Sequence, residues 1–233
     1  EINYRDWSSD VCSSDLITLR PGPEIPLNFL WTKVYTQIHL ALVAQKDTPE
    51  GGSFGVSFPE YTVEEKAEGQ KSDAALIPPE QNAAIPKTRQ GKGHHGQTLG
   101  CKLRIFAPSE EALQKLSVEK ALSRLLDYVR LTNIRRTPVK IIKGYATYSR
   151  EHAAASQQQK ARRFARRHNL SLTEALSRFP ATHATSVLPY IQMQSLTNQQ
   201  KFNLFIKKQS AAHPLQKPFS LYGLSLQSTV PEF

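Results

Sequence analysis

"CKLRIFAPSEEALQKLSVEKALSRLLDYV" (residues 101–129) changes its apolar period part-way along, and that change sets the fold. Up to Ala107 apolar residues alternate with Lys102 and Arg104, the period of a strand. From Ser109 onward apolar residues recur at three and four, the period of a helix. Ser109 is a helix N-cap by type. Glu110 and Glu111 follow in the first turn, where the helix dipole favours anions. This is a strand running into a helix.

The same two textures repeat on either side. Upstream, "LITLRP" (16–21) alternates and stops at Pro21. "LNFLWTKVYTQIHLALVAQ" (27–45) has the spacing of an amphipathic helix, and "GVSFP" (55–59) is a short strand. Downstream, "PVKIIKGYATYS" (138–149) returns to strand character. The order β-α-β-β-α-β is that of a ferredoxin-like half, so the expected class is α+β. Between about 63 and 98 the pattern disappears into polar, Pro- and Gly-rich sequence, expected to be a flexible insertion. A second region, 143–233, follows a boundary near residue 142. It opens with a basic helix (156–168) and a second helix, "SLTEALSRF", in which Ser171 and Glu174 have capping-box spacing. "PYIQMQSL", "KFNLFIKKQ" and "FSLYGLSL" are expected as closing strands.

The N-terminus fits none of this. "RDWSSDVCSSDL" (5–16) has no apolar periodicity and back-translates as a short-read sequencing adapter, so residues 1–15 are expected to be an assembly artefact. Cys12 would then be foreign, leaving Cys101 alone with no disulfide, as in a reducing cytoplasm. The 233 residues carry 30 Lys and Arg against 20 Asp and Glu, net +10. Without residues 1–15 the balance is 29 against 16, nearer +13. With 39% hydrophobic residues a core can form, and the surplus charge points to a polyanion. No apolar run is long enough to span a membrane, and no signal peptide precedes the first strand.

The charge concentrates in "KARRFARRHNL" (160–170), with five cations in eight positions. On a helix Lys160, Arg163 and Arg167 lie near one line with Arg162 and Arg166 beside it. No nearby carboxylates offset them, and like charges at this spacing repel. Phosphate is the natural compensation, and the dominance of Arg favours bidentate phosphate or guanine contacts. Phe164 reads as the helix's anchor to the core. A basic helix alone leaves DNA and RNA both open.

Taken together, "YSREHAAASQQQKARRFARRHNLS" (148–171), "IHLALVAQ", "GVSFP", "PYIQMQSLTNQQKFNLFI" and the terminal "FSLYGLS…VPEF" resemble the CRISPR type I-F precursor-RNA-processing endoribonucleases. The resemblance runs from about residue 16 to the C-terminus, interrupted by the insertion. It implies metal-independent cutting of a CRISPR repeat hairpin at the 3′ base of its stem, with no cofactor. The products are a 2′,3′-cyclic phosphate and a 5′-hydroxyl. It further implies retention of the crRNA and partnership with subunits of a type I-F surveillance complex in the cytoplasm. By motif position His39 is the catalytic histidine, Ser195 the serine that positions the 2′-hydroxyl, and Tyr222 the tyrosine beside the histidine. Arg162, Arg163, Arg166 and Arg167 form the arginine helix that enters the major groove of the stem. Arg150 takes a base edge and Phe202 stacks beneath the closing base pair. His152 stands where the family pattern has a glutamine.

The chemistry suits these residue types, since imidazole is a base of near-neutral pKa and a hydroxyl can hold a 2′-OH in line. Read without the resemblance, each has a plainer role. His39 is a lone helix histidine, Tyr222 a core aromatic at a turn, and Phe202 a core position alternating with Leu204 and Ile206. Ser195 is anonymous. His94 and His95 near Cys101 lack a second ligand pair at zinc spacing, so no metal site is expected. Two rival readings are a catalytically silent RNA-hairpin-binding protein of the same shape and a basic DNA-binding regulator.

Overall fold

A computed structural model describes residues 12–63, 97–137, 139–151, 157–178 and 188–233. The fold is α+β, built on antiparallel sheets. In the first sheet, β1 (Cys12–Leu19) pairs with β5 (Lys102–Ala107), and β5 with β2 (Gly55–Ser57). On its other side β1 pairs with β6 (Val129–Arg130) and β7 (Arg135–Arg136). The strand order is β2-β5-β1-β6. Thr62–Val63 (β3) and Gln97–Thr98 (β4) pair with one another, so the two ends of the expected insertion sit side by side.

Helix α1 (Leu27–Ala44) buries Leu30, Trp31, Val34, Tyr35, Ile38 and Leu42, the i, i+4, i+8, i+12 stripe its sequence shows. Phe58, fully buried, meets the rings of Trp31, Tyr35 and Tyr148 at centroid distances of 5.5, 6.1 and 5.6 Å. Because Tyr148 belongs to the second sheet, one apolar core runs from the first sheet through α1 into the second.

That second sheet has the order β11-β8-β10-β9, with β8 spanning Gly144–Glu151, β9 Tyr190–Gln194, β10 Lys201–Ala211 and β11 Val230–Glu232. Two expectations change here. The strand expected over 138–149 to close the first half is instead β8, which pairs with β10 and β11; the short β6 takes the edge of the first sheet. "FSLYGLSL" is a turn. Gly223 has φ +70, Gly223 N–H donates to the Ser220 carbonyl at 2.8 Å, and Ser220 Oγ accepts from Leu224 N–H at 3.3 Å.

The helix expected from Ser109 is also shorter than its pattern. Ser109 caps α2 (Glu110–Leu116) as expected, its Oγ accepting from Ala112 N–H at 3.2 Å. Ser117 then takes a left-handed backbone (φ 50), with its hydroxyl donating to the Gln114 carbonyl at 2.9 Å. A serine side chain competing for backbone acceptors in this way ends a helix, and α3 (Val118–Ala121) restarts beyond it. The strand β1 begins at Cys12, inside the segment expected to be foreign, and its register against β5 shifts between Ser13 and Leu16.

The turn at 220–224 is stitched to the first half. Val56 N–H of β2 donates to the Gly223 carbonyl at 3.0 Å, and a Cβ on Gly223 would lie 2.6 Å from Val56 Cγ1. Gly223→Ala therefore meets a left-handed backbone, costing roughly 1–2 kcal/mol alone, and a steric clash. Its melting temperature should fall by several degrees; an unchanged melting curve would show that the turn is not held in this form.

Candidate active site and nucleic-acid interface

Tyr35 and His39 lie one helical turn apart on α1, and both reach the 220–224 turn. The Tyr35 hydroxyl donates to the Tyr222 carbonyl at 2.8 Å, and His39 Nδ1 lies 2.9 Å from the Leu221 carbonyl. A carbonyl oxygen only accepts, so Nδ1 carries a hydrogen, and in the neutral ring the lone pair is on Nε2. The His39 ring stacks flat on the Tyr222 ring, with centroids 4.1 Å apart and planes within 6°. Its tautomer and its plane are thus both fixed.

Arg150, near the end of β8, extends the cluster. Its guanidinium carbon lies 5.8 Å from the Tyr222 ring centre and 5.3 Å from that of Phe202, within cation–π range of both. Its Nε is buried without a hydrogen-bond partner among the described residues. Phe202 pairs with Met193 across β10 and β9 and is only partly buried, unlike Leu204 and Ile206 on the same face, which are fully buried. It is the end of the core stripe that stays open.

Ser195 begins the connection between β9 and β10, where its N–H donates to the Gln200 carbonyl at 2.9 Å. Ile191 and Met193 are buried while Gln192 and Gln194 are exposed, so strand alternation assigns Ser195 to the inward face. Thr36 of α1 touches Met193 Sδ at 3.9 Å, which draws this face to the helix that carries His39. The structure therefore joins His39, Tyr222, Arg150 and Phe202 by direct ring contacts. Among the described residues no hydrogen bond joins the Ser195 hydroxyl to His39. His152 lies outside the described residues, as do His94 and His95.

The basic segment is helical. Helix α4 (Gln157–His168) packs on α5 (Leu172–Ser177), and Ala161 of the one and Ala175 of the other are fully buried. The capping box is present: Ser171 Oγ accepts from Glu174 N–H at 3.3 Å, and the Ser171 N–H donates to the Glu174 carboxylate at 3.0 Å. The Ser171 hydroxyl, which also donates to the Glu174 carboxylate at 2.7 Å, and then the Ser171 N–H hold that carboxyl below its ordinary pKa. Phe164 stacks near His168 at 4.2 Å with the Arg178 guanidinium 5.4 Å away. Arg162, Arg163, Arg166 and Arg167 are all exposed, and none forms an ion pair among the described residues. Four guanidinium groups on two turns are thus left to solvent or a ligand.

Among the described residues no three His, Cys, Asp or Glu side chains gather as a metal site, and no helix is long and apolar enough to cross a membrane. The family described as CRISPR-associated protein (Cas_Csy4) matches residues 16–72 and 81–233. The chain belongs to that family. It is 30% identical over 220 residues to the CRISPR-associated endonuclease Cas6/Csy4 of Escherichia coli (strain UTI89 / UPEC), covering 93% of this chain and 97% of the relative. It is 31% identical over 223 residues to the protein of the same name from Pseudomonas aeruginosa (strain UCBPP-PA14), with the same coverage.

Sequence reasoning passed over two groups in this cluster. The Leu221 carbonyl has no side-chain signature. Tyr35 reads as a core aromatic, although its spacing of four from His39 was a usable signal.

The unpaired arginines yield a prediction. Removing Arg163, Arg166 or Arg167 singly to Ala should leave stability within about ±0.5 kcal/mol, since no partner is lost. Each should lower the slope of log affinity against log salt for an RNA hairpin by up to about one. An unchanged slope in all three would mean that α4 does not follow a phosphate backbone.

Proposed function

We propose that this chain is a metal-independent endoribonuclease that cuts a CRISPR repeat hairpin at the 3′ base of its stem and retains the crRNA. Family membership and the endonuclease names of both relatives support the reaction class. The observation that carries the mechanism is the His39 Nδ1–H bond to the Leu221 carbonyl, because it leaves Nε2 as a base. In this reading Nε2 takes the proton of the 2′-hydroxyl at the nucleotide before the cut. The 2′-oxygen bonds to the adjacent phosphorus and the bond from phosphorus to the 5′-oxygen breaks. A 2′,3′-cyclic phosphate remains, the 5′-oxygen leaves as a hydroxyl by taking a proton from water, and the His39 imidazolium returns its proton to solvent.

Ser195 is assigned to hold the 2′-hydroxyl in line, a positioning effect of the kind that supplies much of a catalytic rate. Tyr222 keeps the imidazole plane. Arg150, within cation–π range of two rings and with an unpartnered Nε, is assigned to a guanine edge and Phe202 to the closing base pair. Arg162, Arg163, Arg166 and Arg167 take phosphates, and His152 contacts the stem where the family pattern has glutamine. The β-α-β-β-α-β course of the first sheet supports a ferredoxin-like N-terminal domain, with the RNA-binding region from about 143. The proposed setting is cytoplasmic, with subunits of a type I-F surveillance complex as partners.

Cleavage of a repeat hairpin should proceed in excess EDTA and leave a cyclic phosphate. One 2′-deoxy substitution before the cut should abolish cleavage and preserve binding. His39→Ala should lose about 10²–10⁴-fold in rate and still bind. Undiminished cutting of the 2′-deoxy hairpin would eliminate the mechanism. A His39→Ala protein that binds and cuts normally would eliminate the base assignment, leaving a structural histidine.

A further inference from the structure

We infer that Tyr35 is a positioning residue for His39, acting through the backbone of the 221–222 segment. The inference rests on the proposed role of His39 only where it concerns rate; the geometric part stands on the structure alone. Two side chains one turn apart on α1 hold two consecutive carbonyls. Tyr35 Oη–H binds that of Tyr222 and His39 Nδ1–H that of Leu221, at 2.8 and 2.9 Å. In an extended chain consecutive carbonyls point apart, so reaching both from one helix face needs this turn at one rotation. The Tyr222 carbonyl and the Tyr222 ring share one residue, and that ring is the surface on which the imidazole lies.

The Tyr35 bond therefore constrains three things together: the direction of the Leu221 carbonyl, the placement of the Tyr222 ring, and through them the tautomer and plane of His39. Tyr35 is suited to the task. It is fully buried, with its ring against Phe58, so its own position is set by the core. Burial pushes its hydroxyl far above the ordinary phenol range, so it stays a donor at every working pH. The bonds of Val56 N–H to the Gly223 carbonyl, Phe219 N–H to the Gly52 carbonyl and Ser225 N–H to the Tyr148 carbonyl tie the turn and its flanks on either side of residues 221–222 and do not engage the Leu221 carbonyl.

The test is Tyr35→Phe, which removes one buried oxygen and keeps the ring. Nitrogen-15 NMR of labelled histidine reads the His39 tautomer directly, and single-turnover cleavage and hairpin affinity are measured alongside. In the unaltered protein His39 should be a single Nδ1–H tautomer. In Tyr35→Phe the tautomers should mix, and the cleavage rate should fall roughly tenfold while the dissociation constant stays within about twofold. A purely structural Tyr35 would lower the melting temperature but leave tautomer and rate where they were, which would overturn the inference. Mixed tautomers in the unaltered protein would overturn it as well, whether or not Tyr35→Phe folds. A tautomer change with no change in rate would uphold the positioning and remove His39 from the reaction.

Discussion

The hydrogen bond from His39 to the Leu221 carbonyl is the point on which the structure's chemistry depends. Imidazole offers two interchangeable nitrogens, and only a fixed acceptor on one decides which is free to take a proton. Here the acceptor is a backbone oxygen 182 positions away in the chain. The fold has therefore to bring α1, which follows the first strand, against a turn close to the C-terminus. The shared core around Phe58 does so, because it binds α1, the end of β2 and Tyr148 of the second sheet into one body. Tyr148 adds a bond from its own hydroxyl to the Phe58 carbonyl, and β11 returns the chain beside β8.

The basic helix shows the opposite economy. The site at α1 is held by backbone carbonyls of the fold itself, whereas α4 leaves four arginines exposed and without an ion pair among the described residues. Helix α4 packs on α5, with Ala161 and Ala175 buried and Phe164 beside His168 and Arg178. Like charges three and four apart weaken such a helix, and a phosphate backbone reverses the sign of that term. The two surfaces are separate in character. One is a rigid cluster of rings around an imidazole, and the other is a charged ridge with almost no geometry of its own.

Much of the scaffold was legible in the sequence because it rests on local physics. The Ser109 cap, the Ser171–Glu174 capping box, the α1 stripe and the alternation of β5, β9 and β10 each came from spacing and residue type. What stayed hidden depended on partners far away. "FSLYGLSL" alternates like a strand, but Gly223 adopts a positive φ and the stretch is a turn. The 144–151 strand has strand character in either sheet, and only long-range pairing assigns it to the second. Ser117 stops its helix through a hydroxyl that no periodicity reveals. At the site, residue types alone left His39 a lone helix histidine and Tyr35 a core aromatic. The family resemblance singled out His39, and the structure added the carbonyls that hold both.

The most direct test of the account is a high-resolution structure of the complex with a repeat hairpin whose scissile phosphate is replaced by a formacetal linkage, which keeps the 2′-hydroxyl but leaves it no phosphorus to attack. The account places His39 Nε2 within hydrogen-bond reach of that 2′-oxygen, about 2.6–3.2 Å, with Nδ1 still on the Leu221 carbonyl. A complex in which Nε2 faces away from the 2′-oxygen, or in which Nδ1 has left Leu221, would contradict it.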